Sequence, residues 1–208
     1  MLDARLRRLI DPPLDRAGGA LARRGVAADA VTVAGFLVGV LSMVAIMAEA
    51  YLAGLALLAL NRLADGLDGA VARHSRLTDL GGFLDIVLDF IVYAGAVFAF
   101  AVADPERNAL AAAFLIFAFM GTGSSFLAFA VMAAKRRLAT DLRGRKSLYY
   151  LGGLTEGTET ILFLCLACLL PGRFPLLALV FGAMCWLTTL ARVVTGYQLL
   201  RESDDELA

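Results

Sequence analysis

Six apolar stretches alternate with short polar breaks along this chain. They run over about Ala30–Ala48, Tyr51–Ala72, Leu80–Ala103, Ala109–Ala134, Leu154–Leu170 and Phe174–Leu199. Each approaches the roughly 20 residues a helix needs to cross the hydrocarbon of a bilayer. The breaks are Glu49-Ala50, Arg73–Asp79, Asp104–Asn108, Lys135–Gly153 and Pro171–Arg173. The pattern predicts an all-α polytopic membrane protein with six transmembrane helices. Ahead of them, Leu2 to Leu21 mixes Leu2, Leu6, Leu9, Ile10 and Leu14 with arginines. That is the pattern of an amphipathic helix lying on a membrane surface, here expected to be interrupted at Pro12-Pro13. A poorly ordered basic tail is the alternative. No repeat or low-complexity tract divides the chain, so residues 1–208 are expected to form a single domain, with 1–25 interfacial and 30–199 the bundle.

Composition agrees with this picture. The chain is 60% hydrophobic with a mean hydropathy of +0.77, against about 45–50% apolar residues in soluble domains. The net charge of zero gives no reason to expect nucleic acid as a partner. The distribution of charge is more telling. Fifteen lysines and arginines fall before the first span, in the second and fourth breaks and in the tail, against Arg107 and Arg173 on the other side. The positive-inside rule then puts both termini in the cytoplasm. Arg62 and Arg192 lie within spans. The charged N-terminus lacks the apolar core of a cleavable leader. Cys165, Cys168 and Cys185 read as small buried hydrophobes, and the single histidine, His74, excludes a histidine-rich metal site. The acidic end, Glu202 to Glu206, reads as a solvated tail.

The chemistry lies in four aspartates within the second and third spans. Asp65 and Asp68 are three residues apart and Asp85 and Asp89 four apart, so each pair shares a helix face. The two spans are joined by a short break and are expected to run antiparallel as neighbours. At 1.5 Å per residue, Asp65 lies about 12 Å before Arg73 and Asp89 about 13 Å past Leu80, so both pairs reach similar depth. Ionised carboxylates at membrane depth are costly and mark function. Four together, with too few arginines to balance them, call for divalent cations. Oxygen ligands without sulfur or imidazole suit magnesium or manganese. Four carboxylates around two such ions form an arrangement used for phosphoryl displacement, and one at the edge would take the nucleophile's proton. Arg73 at the mouth, with Arg76, Thr78 and Gly69, suits an anionic ligand such as a pyrophosphate. A cation path or proton relay in a small carrier is the rival reading, and it leaves those groups unexplained.

The stretch Asp65, Asp68, Gly69, Ala72, Arg73, Gly81, Asp85, Asp89 resembles the signature of the CDP-alcohol phosphotransferase family, and every position is filled. The resemblance implies that Asp65, Asp68 and Asp85 hold two Mg²⁺ or Mn²⁺ ions, and that Asp89 is both a ligand and the general base. It implies that Thr32, Gly69, Ala72, Arg73, Thr78 and Gly81 form the binding site for a CDP-linked lipid. The implied reaction moves a phosphatidyl group from CDP-diacylglycerol to a small alcohol and releases CMP, in a homodimeric enzyme of phospholipid synthesis. A bacterial inner membrane, with the site facing the cytoplasm, is the expected location. A glycerol-phosphate or inositol-phosphate acceptor is favoured by Arg192 and by the basic fourth break, with Arg143, Arg145 and Lys146. Glu156 and Glu159 open the alternative of serine or an amino alcohol, or of pairing with Arg192. Transfer from a soluble CDP-alcohol to a lipid acceptor would use the same cluster.

Overall fold

The computed structural model describes residues 2–135 and 154–205, with side chains for 11–135 and 154–201. Among these residues there is no strand. The helices are α1 (Leu2–Arg23), α2 (Ala28–Met47), α3 (Tyr51–His74), α4 (Asp79–Ala103), α5 (Pro105–Lys135), α6 (Gly157–Leu169) and α7 (Phe174–Asp205), with a 3-10 turn at Pro171–Arg173 before α7. α2, α4, α5 and the segment Pro171–Arg201 are long and apolar enough to cross a membrane. α3 has the length, but its charges lower its hydropathy. α6 has only 13 residues, about 20 Å against the roughly 30 Å of a bilayer core. It starts at Gly157, three residues after the apolar stretch begins, because Glu156 and Glu159 build a capping box there. A polytopic helical membrane protein is therefore what the chain builds.

The interruption expected at Pro12-Pro13 is absent: α1 runs through both prolines. Proline's fixed φ is a helical one, so the helix can continue, at the cost of two amide hydrogen bonds and of ring crowding against the carbonyls four residues back. α1 packs on the end of α3. A Cβ on Gly18 would meet Ala70 Cβ at 2.5 Å, and one on Gly66 would meet Leu14 Cδ1 at 2.7 Å, so only glycine permits this approach.

α2 sits between α3 and α4, and α5 joins α4 to α7. In lipid, apolar side chains gain little by leaving the solvent, so small residues and interhelical hydrogen bonds hold helices together. The α2–α3 contact shows both devices. A Cβ on Gly35 would lie 2.7 Å from Ala64 Cβ. Ser42 Oγ donates to Gly54 O at 2.7 Å and Asn61 Nδ2 to Gly35 O at 2.8 Å. The far end of the bundle is dry and aromatic. Phe100 stacks on Phe174 with centroids 4.5 Å apart, and Phe163 on Phe181 at 4.9 Å. Leu37, Leu41, Leu187, Leu190 and Val193 meanwhile stand exposed on α2 and α7, the outward apolar face a bilayer would cover.

Candidate active site

α3 and α4 are joined by a turn whose exit is fixed locally. Thr78 caps α4, its Oγ1 accepting from Gly81 N at 3.0 Å. This brings the faces of Asp65 and Asp68 opposite those of Asp85 and Asp89. One oxygen from each of Asp65, Asp68 and Asp85 lies within 4.8 Å of the others. Asp68 is buried, and its Oδ2 has no hydrogen-bond partner. A buried carboxylate with an orphaned oxygen, close to two further carboxylates, is expensive in a low dielectric. An all-oxygen donor set of this kind fits a hard divalent cation. Asp65, Asp68 and Asp85 are thus the residues that would hold it.

Asp89 lines the same cleft but is turned to other partners. Its Oδ1 lies 2.8 Å from Arg62 Nη2, and its Oδ2 accepts a long 3.4 Å bond from the Tyr93 hydroxyl. All four aspartates thus line one cleft, three of them converging and Asp89 beside an arginine. Arg62 also reaches Asp65 Oδ2 at 3.8 Å. It donates to Tyr93 Oη at 2.8 Å through Nη1, and to Asn61 Oδ1 at 2.8 Å through Nε and 2.6 Å through Nη2. The sequence reading counted Arg62 only as an insufficient counter-charge. The signal for more was present: Arg62 precedes Asp65 by three residues and Tyr93 follows Asp89 by four, each spacing sharing a helix face.

The residues expected to bind a nucleotide fall into two groups. Thr32 lines the carboxylate cleft, and its hydroxyl donates to Ala28 O at 3.1 Å. Gly69, Ala72, Arg73, Thr78 and Gly81 lie toward the α3–α4 turn. Arg73 is exposed. Its Nη1 lies 3.6 Å from the place of a Cβ on Gly69, and its Nη2 lies 3.5 Å from Asp15 Oδ1 of α1. Asp15 Oδ2 meets His74 Nε2 at 3.1 Å. That hydrogen bond, with the charges of His74 and Arg73, holds the Asp15 carboxyl below its ordinary range. Sequence reading gave no role to Asp15, because nothing in α1 marks which residue of α3 it will face.

Of the residues expected to meet the acceptor, Lys146 lies outside the described residues, as do Arg143 and Arg145. Glu156 and Glu159 form the α6 cap, Glu159 Oε2 accepting from Glu156 N at 3.1 Å. Arg192 is buried on α7; its Nη1 donates to Thr122 O at 3.1 Å and its guanidinium lies 5.6 Å from the centre of the Phe126 ring. The start of α6 reaches the aspartate cleft, for a Cβ on Gly157 would be 3.9 Å from the Tyr93 hydroxyl.

The family model described as CDP-alcohol phosphatidyltransferase matches residues 25–197. The chain belongs to that family. It is accordingly an enzyme of phosphatidyl transfer, a transferase of phospholipid synthesis. It is 53% identical over 201 residues to "Inner membrane protein YnjF" of Escherichia coli (strain K12), covering 97% of this chain and 98% of that protein. It is 26% identical over 191 residues to the archaetidylinositol phosphate synthase of Pyrococcus horikoshii, covering 91% and 94%. Its fold is that of the Mycobacterium tuberculosis phosphatidylinositol phosphate synthase PgsA1 solved with CDP-DAG bound (TM-score 0.66, 22% identity, 88% of this chain and 93% of that one). The same protein in complex with manganese and citrate gives a TM-score of 0.65 at 22% identity, covering 89% of this chain and 88% of that one.

Proposed function

We propose that this enzyme transfers a phosphatidyl group from CDP-diacylglycerol to the hydroxyl of a small phosphorylated polyol, of the glycerol-phosphate or inositol-phosphate type, and releases CMP. The observation that carries the reading is the convergence of one oxygen each from Asp65, Asp68 and Asp85, with Asp89 lining the same cleft. Two Mg²⁺ or Mn²⁺ ions bound by the aspartates would neutralise the diphosphate and stabilise the charge that develops on the transferred phosphoryl group. Arg73 and Thr78, with Gly69, Ala72 and Gly81 leaving room, hold the cytidine diphosphate end, and Thr32 supports it from α2. Asp89 takes the acceptor's hydroxyl proton as its oxygen attacks the lipid-bearing phosphorus. A new P–O bond forms, the bond to the CMP oxygen breaks, and CMP leaves with the electron pair.

A phosphorylated acceptor is favoured over an amino alcohol for two reasons. Glu156 and Glu159 turn carboxylate oxygens toward α6's own amides, the ordinary work of a capping box. Arg192 supplies a buried cation on the last span, and an ionisable side chain kept at membrane depth marks function by default. The names of the Pyrococcus and Mycobacterium relatives point the same way. The family's membrane setting, the lysine and arginine bias and the E. coli relative's name support a bacterial inner membrane, six spans with both termini cytoplasmic, and a site opening to the cytoplasm. A homodimer is proposed with them.

The test is CMP release from CDP-diacylglycerol by the purified chain in lipid nanodiscs, with and without Mn²⁺ or Mg²⁺, across a panel of acceptors. Metal-dependent release with glycerol phosphate or inositol phosphate is expected. Release only with serine or amino alcohols would overturn the acceptor. No release with any acceptor, together with cation flux in liposomes, would overturn the reaction in favour of a carrier.

A further inference from the structure

We propose that Thr155 and Thr188 are positioning residues for the acceptor alcohol. Their hydrogen-bonded pair fixes the entry of α6 as the wall that joins the aspartate cleft to Arg192. This rests on the reaction proposed above and gives a role to two residues outside the eight-position signature.

Thr188 lies on α7 and is 1% exposed; Thr155, two residues before α6 begins, is 7% exposed. The Thr188 hydroxyl accepts from Thr155 N at 3.1 Å and from Thr155 Oγ1 at 2.9 Å, and it donates to Met184 O at 3.1 Å. A hydroxyl offers one proton and two lone pairs, and all three are used. The Thr155 amide lies ahead of the helix, so burial obliges it to find an acceptor outside the α6 ladder. A single bond to Thr188 meets that need. The second bond, from the Thr155 side chain, converges on the same oxygen. Thr155 is thus held in orientation as well as in place.

The segment fixed in this way borders both parts of the proposed site. A Cβ on Gly157 would lie 3.9 Å from the Tyr93 hydroxyl, which donates to Asp89 Oδ2 at 3.4 Å. On the other side, Arg192 follows Thr188 by four residues, so the two share a face of α7. Arg192 is itself tied to α5, its Nη1 donating to Thr122 O at 3.1 Å. Two residues of chain, from Thr155 to Gly157, reach at most about 7 Å. That short stretch connects the neighbourhood of Asp89 with that of the buried cation. The capping box of Glu156 and Glu159 stiffens it. An acceptor with its hydroxyl at Asp89 and its phosphate toward Arg192 lies along this wall, so the wall's position sets the angle of attack. The residues proposed to hold the liponucleotide stand on α2, α3 and α4, so the threonine pair acts on the acceptor.

The experiment uses the full chain in nanodiscs, with whichever acceptor the wild type accepts, and compares Thr188→Val, Thr188→Ser and Thr155→Val. It measures kcat/KM for the acceptor, KM for CDP-diacylglycerol and hydrogen exchange of the Thr155 amide. Thr188→Val keeps the shape and removes the hydroxyl. Its acceptor kcat/KM is expected to fall about tenfold, as a small misplacement of a reactant does, with KM for the liponucleotide within about threefold. The Thr155 amide should lose protection in the same variant. Thr188→Ser keeps the hydroxyl and should bring acceptor kcat/KM to within about twofold of wild type. Thr155→Val removes only the side-chain bond and should lower acceptor kcat/KM about fivefold with the amide still protected. Wild-type acceptor kcat/KM in Thr188→Val overturns the proposal. So does a liponucleotide KM that rises as far as the acceptor kcat/KM falls, the mark of a merely structural pair, and so does a serine variant no better than valine. Should Thr188→Val fail to fold, Thr155→Val decides, and wild-type acceptor kcat/KM there overturns the proposal. A wild-type protein that releases no CMP with any acceptor would instead overturn the functional reading.

Discussion

Helix α4 is built on opposite terms at its two ends. Its first three turns carry Asp85, exposed, and Asp89, with a side chain 28% exposed. Its last turns carry Val97, Ala99 and Phe100, each 0% exposed. The inner end touches Tyr51 and Phe174 through stacked rings; the outer end faces carboxylates on α3. In a low dielectric each crowded carboxylate opposes folding, and each packed ring favours it. One helix thus holds charges together at one end by means of the packing at its other. The difference teaches that function and stability are separable along α4, and substitutions at the two ends should move different observables.

The sharpest test is at the charged end. Asp89→Asn is expected to lower kcat by about 10²- to 10⁴-fold, the span of general-base effects, with binding of CDP-diacylglycerol retained. The asparagine oxygen still accepts from Arg62, so thermal unfolding should occur no earlier than in wild type. Loss of lipid binding in step with kcat would count against the base. Asp68→Ala comes next. It removes a buried ligand and should weaken Mn²⁺ binding by about 100-fold, as removing support from a metal site does. Unchanged affinity by calorimetry would mean that the trio does not bind the ion.

At the packed end, Phe100→Ala opens a cavity. In lipid the transfer contribution largely vanishes and the cavity contribution remains, so the expected loss is about 2 kcal/mol, below the cost of such a change in a soluble core. Activity per folded molecule should stay within about threefold. A large fall in kcat without a fall in stability would break the separation of the two ends.

How much of this was legible depends on whether a feature is local. The four aspartates were, because helical spacing and antiparallel neighbours bring them together without further knowledge. The end of α1 went unread although Gly25 marks it: that residue has φ 78 and sits where the Val26 and Gly25 amides bond back to Leu21 O and Ala22 O, a glycine-ended helix of common type. α2 ends by the same pattern with Glu49 at φ 60, and there the sequence offers no glycine to read. The apolar stretch Leu154–Leu170 was legible, but not the Glu156 cap that starts its helix at Gly157. Arg62 was visible as a charge but not as Asp89's partner, since its reach across to α4 is a matter of packing. Asp15 was invisible, because the docking of α1 on α3 depends on Gly18 meeting Ala70.

A smaller effect separates the aspartate cleft from the bundle's last span. Arg192→Ala should raise KM for a phosphorylated acceptor by about tenfold, the scale of one charge-assisted hydrogen bond, with KM for CDP-diacylglycerol nearly unchanged. An unaltered acceptor KM would remove Arg192 from the pocket and move the comparison to the segment between α5 and α6.

The smallest expected effect concerns α1, which borders the charged end without entering it. Asp15 sits 3.5 Å from Arg73 and 3.1 Å from His74, and its pKa is lowered from 3.8, chiefly by the His74 hydrogen bond. A carboxyl depressed on docking contributes its stabilisation above the free carboxyl's pKa and loses it as pH falls through the docked value. The Asp15 carboxyl's own contribution to the α1–α3 tether should therefore be kept above about pH 4 and lost below it. Hydrogen exchange of the Gly18–Ala22 amides, corrected for intrinsic rate, is the measurement. Asp15→Asn should lower their protection by less than about threefold at neutral pH, as befits an exposed pair. Because Arg73 is the guanidinium expected to meet the diphosphate, the same variant should shift KM for CDP-diacylglycerol slightly and leave kcat alone. A variant that alters kcat but not α1 protection would mean that Asp15 acts on the reaction directly, and that the charged end extends into α1.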